Sequence, residues 1–252
     1  MSLVVFALTY LVTAGIYWLV MSLAIGERAR AFKAISPGML PPLGIIFGLL
    51  VAFIAAQVWG DQDRAHAAVN REASALRAVI LLAAAFPGEP ETRLRALVHR
   101  QIEDAVTQEW PAMAHGRATL TMTPAPLAEA LQVSLGLTPH GDGQVAAQRE
   151  ILAAVQNALD ARRQRIIVSQ SSVNWVKWTG VLLQAICTSF AIAMVHSDNR
   201  TSAALAMGLF ATGVAVSVML ISSHDRPFTG KISVGSDVLL QVMPEPTPAP
   251  RR

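Results

Sequence analysis

The sequence predicts an all-α membrane protein, with four transmembrane helices in two pairs and a helical extramembrane domain inserted between spans two and three. Three observations lead there. The 252 residues are 53% hydrophobic and only 15% charged, whereas a soluble domain carries about 25% charged residues. The apolar residues gather into four stretches, each close to the roughly 20 residues that a helix needs to cross a bilayer. Most of the charges then fall in one long piece between the second and third stretch. The same composition excludes other classes. Abundant apolar residues and a net charge of +3 are not those of a disordered chain. A lone cysteine, Cys187, cannot build a disulfide scaffold, and 6% aromatics with so small a charge make no nucleic-acid footprint.

The first stretch, 3–25, meets no charge before Glu27 and follows no basic residue, which reads as a span rather than a signal peptide. The second, 41–59, lies between the break Ser36-Pro37-Gly38 and Asp61. The third, 175–195, holds one charge, Lys177. The fourth, 203–221, ends at Ser222-Ser223-His224-Asp225-Arg226. Trp18, Trp59, Trp175 and Trp178 stand near span ends, where aromatic belts belong. The expected division is 1–60 for the first pair, 61–172 for the helical domain, 173–223 for the second pair, and 224–252 for an exit turn and proline-rich tail.

Within 61–172 the apolar spacing is that of amphipathic helices. Ala65, Val69, Leu76, Val79, Ile80 and Ala83 form one stripe, and no proline or glycine after Gly60 separates it from the second span, so one helix can run through both. Pro87-Gly88 ends it. A second helix runs from Glu89 to about Ala114 with Leu94, Val98, Ile102 and Val106 on one side. Thr123-Pro124 opens a third, since Thr caps and Pro is tolerated in a first turn. A fourth follows Pro139-His140-Gly141-Asp142-Gly143, with Leu152, Val155, Leu159 and Ile166 inward. Only 231–234 has a strand-like pattern, and 244–250, with four prolines, reads as an extended, mobile tail.

Several segments resemble one family. Arg71-Glu72-Ala73-Ser74-Ala75-Leu76, Glu109-Trp110-Pro111-Ala112-Met113, Arg162-Arg163-Gln164-Arg165-Ile166 and above all Asp225-Arg226-Pro227-Phe228-Thr229-Gly230-Lys231-Ile232 occur in the order of the bestrophin-like family of bacterial membrane proteins. The resemblance spans about 41–240. Bestrophins are pentameric anion channels with the same two-plus-two order of spans around a cytosolic helical domain, so it implies that architecture. The acidic calcium clasp of bestrophins is not found here.

The residues themselves carry no HExxH, CxxC, GxSxG or phosphate-binding glycine loop, and the expectation is no enzyme, no cofactor and no metal. His99 and Glu103, four apart, lack a third ligand nearby. In the third span Asn174, Lys177, Val181, Gln184 and Thr188 fall within about 80° at 100° per residue. Polar groups in a membrane face protein or water. The stripe is therefore either a water-filled path with Lys177 drawing anions to one mouth or a set of interhelical bonds with Lys177 snorkelling. The second span carries a small-residue seam, Gly44, Gly48, Ala52 and Ala56, suited to close helix packing and to oligomers. Its other face shows Phe47, Phe53, Ile54 and Gln57, read either as packing or as a pore constriction. In the exit turn Asp225, Pro227, Phe228 and Gly230 suggest a fixed corner: Pro227 stops the helix, Gly230 permits positive φ, and Phe228 anchors at the interface.

Glu72 lies at about 340° when Ala65 is set to zero, inside the apolar stripe, and a carboxylate there requires a partner. Arg162, with Arg163 as substitute, stands at a similar height, roughly 18–20 Å from the span ends, which predicts a Glu72–Arg162 ion pair. Arg28, Arg30 and Lys33 in the first loop place that loop in the cytoplasm and the helical domain in the periplasm of a bacterial inner membrane. The basic residues Arg64, Arg71, Arg162, Arg163, Arg165, Arg226 and Lys231, and the bestrophin resemblance, point the other way. The expected function is an oligomeric, anion-preferring channel. The alternative is a non-conducting membrane scaffold or sensor whose helical domain binds a partner protein. The expected partners are the lipid bilayer, further copies of the chain and small anions, with no nucleic acid.

Overall fold

The structure, a computed structural model, describes residues 2–121, 124–230 and 232–245. Among these there is no strand. The α-helices in order are α1 (Ser2–Leu23), α2 (Glu27–Lys33), α3 (Leu40–Ala83), α4 (Glu89–Asp104), α5 (Trp110–Ala114), α6 (Ala125–Leu135), α7 (Asp142–Ser169), α8 (Trp175–Val195), α9 (Arg200–His224) and α10 (Asp237–Gln241). A 3₁₀ turn, Pro37–Met39, precedes α3, its Ser36 hydroxyl accepting from the Gly38 amide at 3.2 Å. As the stripe spacing predicts, α3 runs 44 residues without a break. Its Pro41 and Pro42 sit in the first turn, where a missing N–H leaves no bond unmade. Among the described residues four helices are long and apolar enough to cross a membrane: Leu3–Leu23, Pro37–Ala83, Trp175–Val195 and Arg200–His224.

The chain divides into two compact units. The first, Met1–Trp59 with Ser172–Asp225, contains the apolar stretches. Here α1 packs on α8 and α9, and α8 on α9. Phe47, Ile54, Ala55 and Val58 of α3 meet Val181 and Ala185 of α8 and Val214 and Ile221 of α9, while Ile16 and Val20 of α1 meet Ile192, Ala193 and Met207. The Phe47 and Phe210 rings sit 5.4 Å apart at 60°. Outward positions are also apolar, Leu11, Trp18, Phe53, Leu183 and Leu209 among them, as they are when the surrounding solvent is lipid.

The second unit, Gly60–Ser171 with Arg226–Arg252, is a separate helical core. Leu76 and Val79 of α3, Leu94 and Ile102 of α4, Leu127 of α6 and Ile151, Val155 and Ile166 of α7 are all buried in it. The inward face of α7 overlaps the expected one only in part: Val155 and Ile166 are buried as expected. Leu152 and Leu159 are only half-buried, whereas Ile151, Ala154, Ala158, Ala161 and Arg165 are buried. Alanines carry this face because short side chains let neighbouring helices approach closely, and reading the stripe from the large apolar residues turns α7 by about one residue, or 100°.

The expected helix from Glu89 to about Ala114 is interrupted. Between α4 and α5 the chain makes a π-helical turn, Ala105–Glu109. Pro111 supplies the reason: it has no N–H to give the carbonyl four residues back, and its ring would clash with that carbonyl. The wider turn absorbs the misfit and re-aims the side chains that follow. After Pro124, α6 forms as expected, although Thr123 lies outside the described residues. The carbonyls of Ser134 and Leu137, at and beyond its end, accept from Gln148 at 2.9 and 3.0 Å. Of the segments expected to be a strand and a mobile tail, Lys231 and 246–252 lie outside the described residues. Pro244 is buried, with its carbonyl 3.3 Å from His99 Nδ1.

Candidate functional site

The polar stripe of α8 is engaged within the chain. Asn174 is the N-cap of α8, its side chain accepting from the Val176 amide at 3.0 Å. Lys177 stays exposed and its ammonium donates to the side-chain oxygen of Gln57 on α3. Gln184 donates from Nε2 to the Leu43 carbonyl at 3.3 Å. Thr188 is buried and returns its hydroxyl to the Gln184 carbonyl at 2.8 Å. Two of the four therefore reach across to α3, joining Lys177 to Gln57 and Gln184 to Leu43. Lys177 is the only charged residue in the four apolar stretches as the sequence bounds them.

The small-residue seam is not where this chain packs its own helices. Gly44, Gly48, Ala52 and Ala56 are all exposed, and a Cβ built on Gly44 or Gly48 meets nothing within 4 Å. The face of α3 that packs inside the unit is the one carrying Phe47, Ile54, Ala55 and Val58. Of the residues read as a constriction, Phe47 and Ile54 are thus buried in the core, Gln57 is bonded to Lys177, and Phe53 alone is freely exposed, at 71%.

In the helical unit a buried group of charges gathers around Arg165. Its guanidinium donates to both oxygens of Glu72, from Nε at 2.7 Å and from Nη2 at 3.0 Å, and Nη2 also reaches Glu109 at 2.7 Å. Arg162 donates from Nε to the other Glu109 oxygen at 2.6 Å. The indole of Trp110 stacks on Arg165, 4.6 Å from ring centre to guanidinium carbon. The expected Glu72–Arg162 pair is thus corrected: Glu72 is buried as the stripe requires, but its donor is Arg165, with Arg162 held by Glu109 and Arg163 exposed. The cause is the rotation of α7 described above, which turns Arg165 inward. Burial alone would lower the Arg165 pKa, but the charges of Glu72 and Glu109 and their hydrogen bonds hold it above its ordinary value. Two carboxylates and two guanidiniums balance, which is the condition for burying such a group.

The exit segment is fixed by its own bonds. The Asp225 carboxylate accepts from the Val173 amide at 2.6 Å, tying the end of α9 to the residue before the α8 cap. Beyond it, the Pro227 carbonyl accepts from the Val234 amide at 2.7 Å, and Gly230 takes a φ of +92°, which favours glycine. Phe228 does not anchor at an interface. It is 4% exposed and stands edge-on to Trp110 at 5.8 Å, because the Trp110 ring already offers it a buried apolar wall.

A family model described as a Bestrophin-like domain matches residues 7–239. The chain belongs to the bestrophin-like family. Its fold is shared with a point variant of a bacterial bestrophin homolog from Klebsiella pneumoniae, at a TM-score of 0.74 and 10% identity over 94% of this chain and 97% of that one. A second variant described in the same words gives 0.71 at 9% identity, covering 94% and 96%. A further crystal structure, of a membrane protein variant, gives the same figures. No curated protein matches. At such identities the likeness is one of fold.

Within this bestrophin-like chain, three segments that carry the resemblance meet in one place, since Glu72, Glu109, Trp110, Arg162 and Arg165 all belong to them. Glu109, Trp110 and Arg165 escaped the reading of individual side chains. The usable signal was the seven-residue spacing of Ile151, Ala158 and Arg165 along one face of α7.

Proposed function

We propose that this protein is an oligomeric, anion-preferring channel of a bacterial inner membrane. The observation that carries the reading is Lys177: it is the one charge in the four apolar stretches 3–25, 41–59, 175–195 and 203–221, exposed, and held on Gln57 of α3. An ammonium fixed at the mouth of an apolar path attracts anions and repels cations. The open seam of α3 supports assembly, because a strip of small residues that packs against nothing in its own chain is suited to another helix. Phe53, exposed on α3, supplies a ring to narrow the path once copies assemble.

The non-conducting scaffold has one observation in its favour. Gln184 and Thr188 are bonded within the chain, so the inner part of the polar stripe holds helices together. Ion flux through liposomes containing purified protein separates the two readings: a chloride-selective current supports the channel, and tight liposomes support the scaffold.

A further inference from the structure

The helical unit has an open groove of about 940 Å³ lined by α3 and α7 alone. Its lining includes short side chains, Ser74, Ala75, Ala78, Ala154 and Ala161, which keep the trough between the two helices open. Its rim is charged. Asp160 and Arg163 of α7 stand three residues apart, opposite in sign, exposed, and without an ion-pair partner among the described residues. Arg71 of α3 adds a second cation beside them.

The same chain carries a matching surface elsewhere. On α4, Thr92, Ala96, Arg100 and Glu103 are all exposed and share one face at helical spacing. Arg100 and Glu103 are again three residues apart, again without an ion-pair partner among the described residues, and the order of sign is reversed. Both helices run in the same sense. Gln144, near the start of α7, bonds to the Ala85 carbonyl, and Arg165, near its end, bonds to Glu72. The chain of α4 likewise starts just past the end of α3 and reaches Arg165 through Glu109. A three-residue step rises about 4.5 Å in either helix, so one parallel register sets Arg100 against Asp160 and Glu103 against Arg163.

We propose that the α3–α7 groove of one copy receives the α4 face of a second copy of this chain. The proposal rests on the oligomeric reading above and adds, beside the open seam of α3, a second contact between copies in the helical unit. Two different patches meeting head to tail give a heterologous contact, which closes into a ring when the rotation permits. The four charges set register and partner more than they set affinity.

Site-directed cross-linking tests this. In a Cys187→Ala background, copies carrying Ala96→Cys are co-produced with copies carrying Asn157→Cys, in the membrane and at full length. Oxidation is expected to yield disulfide-linked dimers from the mixture and none from either variant alone, since a disulfide requires Cα atoms within about 7 Å. Reversing the groove pair with Asp160→Arg and Arg163→Asp should cut the cross-linked fraction about tenfold, and adding Arg100→Asp and Glu103→Arg should restore it. All four positions are exposed, so helicity and melting temperature serve as the folding control. An oligomer by light scattering that never cross-links here, and ignores the reversal, overturns the groove while leaving the oligomer in place. A monomer by light scattering overturns both.

Discussion

Arg165 and Glu72, 93 residues apart in the chain, are joined by two hydrogen bonds of 2.7 and 3.0 Å with neither side chain exposed to solvent. Such a fork fixes the rotation of α7 against α3, because a guanidinium meets both carboxylate oxygens only in one plane. Glu109, delivered by the π turn, then uses the third direction of the same guanidinium and passes its second oxygen to Arg162. Specific geometry in the helical core therefore depends on a proline-induced turn more than thirty residues from Glu72 in the chain.

Removing one member strands the rest. Glu72→Ala should destabilise the helical unit by roughly 3–5 kcal/mol, because it leaves buried charge uncompensated. Arg165→Lys should cost nearly as much, since an ammonium cannot make the planar fork. Arg163→Ala, at an exposed position, should change stability by about 0.5 kcal/mol or less. Thermal unfolding in mild detergent reads all three. The pH profile follows from the raised Arg165 value. The stability that this shift contributes is complete below the unfolded-state pKa and is lost only as pH rises through the higher folded value, at strong alkali.

Oligomerisation is tested apart from folding by Gly48→Leu. A Cβ there meets nothing within 4 Å inside the chain and Gly48 is exposed, so the monomer should keep its helicity while the assembly dissociates. Light scattering of the native protein should give a mass above that of one chain. A monodisperse monomer contradicts the assembly.

What was legible in the sequence follows its physics. The spans were plain because an apolar run of that length, bounded by charges, suits a helix in lipid and little else. The continuity of α3 followed from the absence of a breaker after Gly60. Burial of Glu72 was legible from one angle on a helical wheel. Its partner was not, because Ala154, Ala158 and Ala161 carry little hydrophobic signal yet define the inward face of α7. The π turn was hidden for a related reason: Pro111 announces a disturbance without saying how the helix absorbs it. For the seam, the spacing of Gly44, Gly48, Ala52 and Ala56 indicated close packing but not against which partner.

Membrane sidedness gives a further outcome. If the basic first loop with Arg28, Arg30 and Lys33 stays in the cytoplasm, the helical unit faces the periplasm. A single cysteine placed at exposed Thr138, in a Cys187→Ala background, should then react with a membrane-impermeant maleimide in intact spheroplasts. Reaction only after lysis reverses the orientation.

Lys177 should determine the sign of selectivity. Lys177→Glu is expected to move preference toward cations without changing the assembled mass, because the side chain is exposed and its partner Gln57 is only half-buried. An unaltered preference in a conducting variant would assign Lys177 to helix packing alone.

The most direct test of the channel is the reversal potential of the native protein in planar bilayers under a potassium chloride gradient. A macroscopic or single-channel current is expected, with its reversal toward the chloride equilibrium potential. A reversal toward the potassium potential, or membranes that stay silent with correctly assembled protein present, would contradict it.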